Sequence, residues 1–411
     1  MKQIIPAVLL FLTSSAEAQN KIVPQPCQDD NDAAHQPAIY FDHTRPKYPF
    51  NITGYNATDK AVIMKQLTAI EKLEEGSRAN FKATGCVLRT SFSATSKTSF
   101  GGYTHASYGY QLGAYQLVCH VTEHVANEVG EYRTVFRVNV NPSLDQWHAY
   151  GEHYDFYLTD RSVRYDVSIR GITKAGNVDR NTITRISQVV SQNQVTNDPK
   201  EFDKINNGTG YLESTMGGSN PKVYLWLDRK YYITKQGVPL LAPLTRKEYL
   251  EALLEYYEIE KKNFQTEMGY KINDDSRSTS PEAKKRMTIY EADKIAYQQI
   301  YEGKKAKVQN ILSTQKSEWL QKQAVVANRQ PGANNYAEPA NGLFEFNQFA
   351  NTGELLYQFN PAYFKENVAT PVKPVFFLVQ FRYEMGRYFS ETLFNNFLKN
   401  YDFSALYKML Q

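Results

Sequence analysis

From Thr245 to Ala327 apolar residues recur three and four positions apart, and this run constrains the fold more than any other feature. Leu250, Leu253, Leu254, Tyr257 and Phe264 form one stripe, and Met287, Tyr290, Tyr297, Tyr301, Val308, Leu312 and Trp319 form another. Such spacing puts each set along one side of an α-helix. Thr245-Arg-Lys-Glu248 reads as a capping box, in which the Thr oxygen takes the third amide and Glu reaches back. Ser280-Pro281 opens the second helix, with proline at the first helical position. A polar stretch, Asn273–Ser280, joins the two. Together they predict an antiparallel helical hairpin over residues 241–329, its stripes packed in the core. A partner-binding face is the alternative use of the same stripes.

Upstream the period changes to two. Cys86–Phe92, Tyr108–Val121 and Tyr132–Val140 alternate as strands do, with Gly101-Gly102 and Gly130 as turns. Thr58-Asp59 precedes a helical pattern from Lys60 to about Glu75. Residues 151–240 continue in strand-like text, and Asp228-Arg229 reads as the turn of a hairpin between Val223–Leu227 and Lys230–Thr234. Asn206–Gly218 reads as a loop. The chain closes with a strand near Val375–Tyr383 and a helix from about Tyr388 to Leu410. The predicted class is α+β: an N-terminal helix plus antiparallel sheet, further strands, a long antiparallel helical hairpin, then a C-terminal strand–helix. The expected segments are 1–18, an irregular lead-in 19–57, 58–150, 151–240, 241–329 and 330–411.

The first segment reads as a secretory signal. Lys2 precedes an apolar run, Ile4 to Leu12, and Ala16-Glu17-Ala18 is a small-x-small cleavage site. The run is about half the length needed to cross a bilayer, so export with cleavage after Ala18 is expected. The compartment would be periplasmic or extracellular, with no membrane span in the mature chain.

Composition narrows the function classes. The net charge is +4, and Lys2 and Glu17 cancel, so the mature chain keeps it. Spread over 411 residues, that charge does not point to nucleic acid. The pairs Lys261-Lys262, Lys284-Lys285 and Lys304-Lys305 lie among acidic residues on the helices and read as solvated faces. Thirty tyrosines against three tryptophans suit half-wet strands and binding surfaces.

Cys27, Cys86 and Cys119 and all seven histidines lie before residue 154. The later part therefore has neither a Cys or His nucleophile nor an N/S-ligated metal. Export permits disulfides, and three cysteines leave one over. Cys86 and Cys119, both in strand-like text, are the preferred pair. Cys27 with either of them, or no bridge, are the alternatives.

Three clusters are candidates for chemistry. His120-Val-Thr-Glu123-His124 would put two imidazoles on one side of a helix, with the Glu as general base for a zinc-bound water. The spacing resembles the inverted zinc motif of the pitrilysin–insulinase peptidases. The resemblance covers these residues alone and implies a third ligand at Glu201. Leu117–Thr122 has strand composition, which predicts a strand end or turn there instead. His148, Glu152 and His153 lie among Trp147, Tyr150 and Tyr154, a packing context. Asp29-Asp30-Asn31-Asp32 lacks the turn glycine of a calcium loop and reads as a solvated acidic stretch.

These features lead to an exported, non-catalytic protein that binds a protein or glycan partner through the hairpin or the Tyr-rich strands. No cofactor, metal or catalytic residue is assigned. The alternatives are a zinc hydrolase at His120, Glu123 and His124, and a carboxylate-based glycan hydrolase.

Overall fold

The computed structural model describes residues 25–43, 54–94, 98–100, 103–144, 147–149, 153–171, 184–217, 225–327, 346, 348–365 and 370–410. The signal segment 1–18, Glu152 and the loop around Pro331–Pro339 lie outside them. In chain order the first half contains α1 (Asp30–His35), β1 (Ile39–Asp42), α2 (Ala57–Arg78), β2 (Cys86–Ala94), β3 (Thr98–Phe100) and β4 (Tyr103–His105). Next come β5 (Tyr108–Cys119), β6 (Ala126–Val140), β7 (His153–Phe156), β8 (Tyr165–Ser168), β9 (Val190–Ser191), α3 (Gln192–Val195) and α4 (Pro199–Asn206). Then follow β10 (Tyr211–Met216), β11 (Trp226–Ile233), β12 (Leu241–Pro243), α5 (Arg246–Ser276), α6 (Pro281–Thr314), α7 (Ser317–Leu320) and β13 (Val325–Val326). The last elements are β14 (Glu354–Phe359), α8 (Pro361–Phe364), β15 (Phe377–Glu384), α9 (Tyr388–Asn400) and α10 (Phe403–Lys408). The α+β class is observed. No helix among the described residues is long and apolar enough to cross a membrane.

A seven-stranded sheet in the order β1-β2-β5-β6-β15-β11-β10 organises the molecule. Only β1 and β2 run parallel; the other neighbours are antiparallel. Strands from the segments 58–150, 151–240 and 330–411 thus share one sheet. Its even-numbered β6 residues Phe136, Val138 and Val140 face a core closed by Ile63, Leu67 and Ile70 of α2 and Phe389, Leu393 and Phe397 of α9. Strand alternation written in the sequence decides which residues enter that core.

Two sequence readings fail on this sheet. β11 runs straight through Asp228-Arg229, because β15 pairs with its whole length on one side and β10 on the other. The stretch read as a loop supplies β10, an edge strand with mostly exposed residues.

The disulfide also differs from the preferred pairing. Cys27 bonds to Cys119, and Cys86 is a buried free thiol. Cys86 stands opposite Gln116, three residues from Cys119 along β5. It packs in the α2 core, whereas Cys119 lies against a small cluster with Phe41, Val87 and Leu117 on the opposite face. A bridge between them would have to pass through the sheet. Cys27 reaches Cys119 because residues 25–27 are stitched to the β5–β6 turn: Cys27 N donates to His124 O at 2.9 Å and Ala126 N to Gln25 O at 2.8 Å. The acidic stretch completes the join, for Asp29 caps α1 through Asp32 N and Asp30 Oδ1 accepts from Cys119 N, both at 2.9 Å. Gly85 permits the close approach of α1: it has φ +68°, and a Cβ there would meet Ala34 O at 2.6 Å.

The hairpin forms as predicted. The Thr245–Glu248 capping box is present in both directions, and Ser280 caps α6 above Pro281. α5 extends to Ser276, into the polar stretch read as the connection, and α6 stops at Thr314. The two pack together and against β7 and β8, with Phe264 stacked on Tyr297 at 3.9 Å between centroids. Leu253 is fully buried there. Leu253→Asp should therefore cost about 2–4 kcal/mol in a urea titration. Glu251→Ala, at a half-buried position with 3.4 Å and 3.8 Å surface ion pairs, should stay within about 1 kcal/mol.

At the hairpin tip Asp275 accepts two bonds from Arg286, at 2.8 and 2.6 Å, and one from Tyr290 at 2.7 Å. The Arg286 hydrogen bonds hold its carboxyl down to about 2. A carboxyl depressed in the fold stabilises it above the unfolded value of about 4, and loses that contribution as pH falls toward 2. Unfolding measured from pH 5 to 2 should show Arg286→Gln losing less stability over this limb than the parent.

Candidate binding face of the sheet

Val135, Arg137 and Asn139 of β6 alternate with its core residues and point away from the α2–α9 core. Among the described residues, α1 and its cluster close one corner of this second face, and Tyr232, Leu378, Trp147 and Phe364 close one end. Between them two cross-strand rows remain. One runs Arg89, Gly113, Val135, Arg382, Asp228, Ser214 across β2, β5, β6, β15, β11 and β10. The next runs Ser91, Gln111, Arg137, Gln380, Lys230, Leu212 across the same strands. Arg89, Arg137, Lys230, Gln380 and Arg382 are all half-buried. Val135, in the first row, is fully buried and belongs to none of the four core clusters.

The charges on this face are not all neutralised. Arg89 is bidentate to Glu128 at 3.1 and 2.6 Å. Asp228 takes both its bonds from Gln380, at 2.9 and 3.0 Å, and stands 3.8 Å from Lys230. Arg137 is held by neutral acceptors, Gln111 Oε1 at 2.7 Å and the Tyr132 hydroxyl at 3.1 Å. The Arg382 guanidinium lies over the Trp226 ring, 4.7 Å from its centroid, and its Nε is buried with no hydrogen-bond acceptor among the described residues. Arg137 and Arg382 are therefore oriented cations without a carboxylate partner among the described residues. Stacking and neutral hydrogen bonds fix each planar fork while leaving its charge available.

The buried carboxylates elsewhere are committed to the fold. Glu260 of α5 accepts from Tyr154, Tyr256 at 3.1 Å, Tyr297 at 2.9 Å and the Lys304 ammonium. Those four donors fill a carboxylate's capacity. Burial pushes the Tyr154, Tyr256 and Tyr297 hydroxyls well above the ordinary range, so they stay neutral donors. Asp293 is likewise taken by Thr159 N at 2.9 Å, the Thr159 hydroxyl, and Tyr165 at 2.7 Å. Lys304 is thus not on a solvated face: it continues the Tyr297–Tyr301 stripe inward, while Lys305 stays outside with Glu258 at 2.6 Å. Beside Glu74 a cavity of about one water's size is lined by Leu112, Phe136 and Phe397, too small for a substrate.

The histidine motif lies in an exposed turn between β5 and β6 and forms no helix. His120 Nδ1 accepts from Glu123 N at 3.2 Å, and His124 adopts φ +50° to close the turn. Glu201 is on α4, accepting from Thr196 at 2.8 Å. Among the described residues no group of three His, Cys, Asp or Glu side chains could hold a metal ion. His148 contacts the Ser187 carbonyl and lies 6.5 Å from the Phe359 ring; the His153 side chain and Glu152 lie outside the described residues.

The polar face was partly legible, since Arg133, Val135, Arg137 and Asn139 alternate with core residues of β6. Its partners were not. Arg137 and Arg382 are neighbours only because β15 pairs with β6. No family model, curated protein or solved structure matches the chain.

Proposed function

We propose that this chain is an exported, non-catalytic binding protein whose recognition surface is the half-buried second face of the seven-stranded sheet. The observation that carries this reading is the pair Arg137 and Arg382, cations oriented on a half-buried face with no carboxylate partner among the described residues. Desolvated, fixed guanidiniums beside aromatic rings are typical anchors of an interface. Export is supported by the three-part layout of residues 1–18 and by the Cys27–Cys119 bridge, which suits an oxidising compartment. Non-catalytic action is supported by the buried carboxylates, whose oxygens are already occupied.

A glycan array probed with the exported protein, and read also for released product, tests the reading. Binding should occur without hydrolysis and should be lost in an Arg137→Ala, Arg382→Ala variant that keeps its thermal midpoint. Product release would replace this reading with the hydrolase one. Intact mass of the exported protein should place Gln19 at the N-terminus; retention of Met1 would remove the export argument.

A further inference from the structure

We infer that the two-row stripe on this second sheet face binds a linear acidic polysaccharide of the uronate type, with carboxylates on Arg137, Arg382 and Lys230. The inference rests on the binding reading above and specifies its ligand. Three observations lead to it.

The first is charge. Arg137 and Arg382 have no described carboxylate partner, and Lys230 shares Asp228 with Gln380 at a long 3.8 Å. The surface therefore attracts anions. A guanidinium fork held flat by a ring or by neutral acceptors matches the two oxygens of a carboxylate. The Arg382 side chain, half-buried and without a described acceptor, presents its guanidinium to such a carboxylate.

The second is shape. The stripe crosses six strands, roughly 24 Å at the usual strand spacing, and its side chains come from a sheet surface instead of a pocket. Across it Arg89 and Arg382 stand three strands apart, and Arg137 and Lys230 two. An extended polymer with anionic groups at intervals meets several of these cations at once. A small compact anion meets one.

The third is the mixture of groups. Gln111, Gln380, Ser91 and the Tyr132 hydroxyl alternate with the cations. Neutral donors and acceptors between charges fit sugar hydroxyls between carboxylates. A nucleic acid, with a phosphate at every residue, fits less well: Asp228 stands in the row, and the whole chain carries only +4.

The test is calorimetric titration of the mature protein with a galacturonate oligosaccharide of defined length, beside neutral dextran, oligo-dT and poly-glutamate. The galacturonate should bind, and more weakly as salt rises. Arg137→Gln and Arg382→Gln should each weaken it by about tenfold or more, as loss of a charge-assisted hydrogen bond does. Lys substitutions at the same two positions should restore part of the affinity. Lys284→Gln, at an exposed site on α6, should change nothing. If an arginine variant fails to fold, Lys230→Gln gives the same reading from a half-buried cation, with a several-fold loss. Oligo-dT or poly-glutamate binding as tightly as galacturonate would overturn the inference. Dextran binding that the arginine variants abolish would also overturn it, while leaving the binding face intact. If none of these probes binds, the inference fails; the glycan array then decides the broader reading by itself.

Discussion

Lys304→Met should destabilise the protein by about 3–5 kcal/mol, the usual result of removing one partner from a buried charged pair. Lys304 is 7% exposed and Glu260 is 2% exposed at their side chains. Methionine matches the length of the stem, so the packing against Tyr257, whose ring centroid lies 4.8 Å from the ammonium, is largely kept. What goes is the Lys304 cation on Glu260, leaving, among the described residues, hydroxyl donors alone on a buried carboxylate. The neighbouring substitution isolates the effect. Lys305→Met breaks an ion pair with Glu258 whose members are 36% and 54% exposed, and should leave stability nearly unchanged. Urea titrations of both variants with unchanged m-values would measure the contrast. Equal midpoints for the two would mean that Glu260 and Lys304 are solvated, and the interior of the hairpin would need a different account.

Cys27→Ser should have a comparable effect, about 4–5 kcal/mol from the loop entropy released over a separation of 92 residues. The local bonds from Gln25, Cys27 and Asp30 to the β5–β6 turn remain in the variant, so α1 and β1 should loosen before the rest of the sheet. Hydrogen exchange should find the faster amides at Ile39–Asp42 and its partner strand. Cys86 offers the control. It is 1% exposed, and burial pushes its thiol up to about 12, so it should resist alkylation until the protein unfolds. Peptide mapping without reductant should recover Cys27 joined to Cys119. Recovery of Cys86 joined to Cys119 would contradict the sheet register itself.

The sequence by itself determined the local elements, because their signals act over a few residues. The Thr245–Glu248 box and Ser280-Pro281 mark the starts of α5 and α6 through bonds spanning three positions, and both helices begin there. Alternation in β5, β6 and β15 shows which side chains face the core, because the strand repeat is two. Signals of this range say nothing about which strand lies beside which. Asp228-Arg229 has turn-like residues, yet β10 and β15 hold it extended, since pairing on both sides satisfies more backbone than a turn would. Lys304 reads as a surface lysine until Glu260, 44 residues away, is brought against it. The Cys27–Cys119 bridge depends on a short N-terminal join to the β5–β6 turn, and on Cys86 facing the other side of the sheet. The candidate binding face is the extreme case. Arg137 and Arg382 are 245 positions apart, and only the pairing of β6 with β15 makes them adjacent. Periodicity and caps are written locally, whereas partner choice is a packing decision taken by the whole chain.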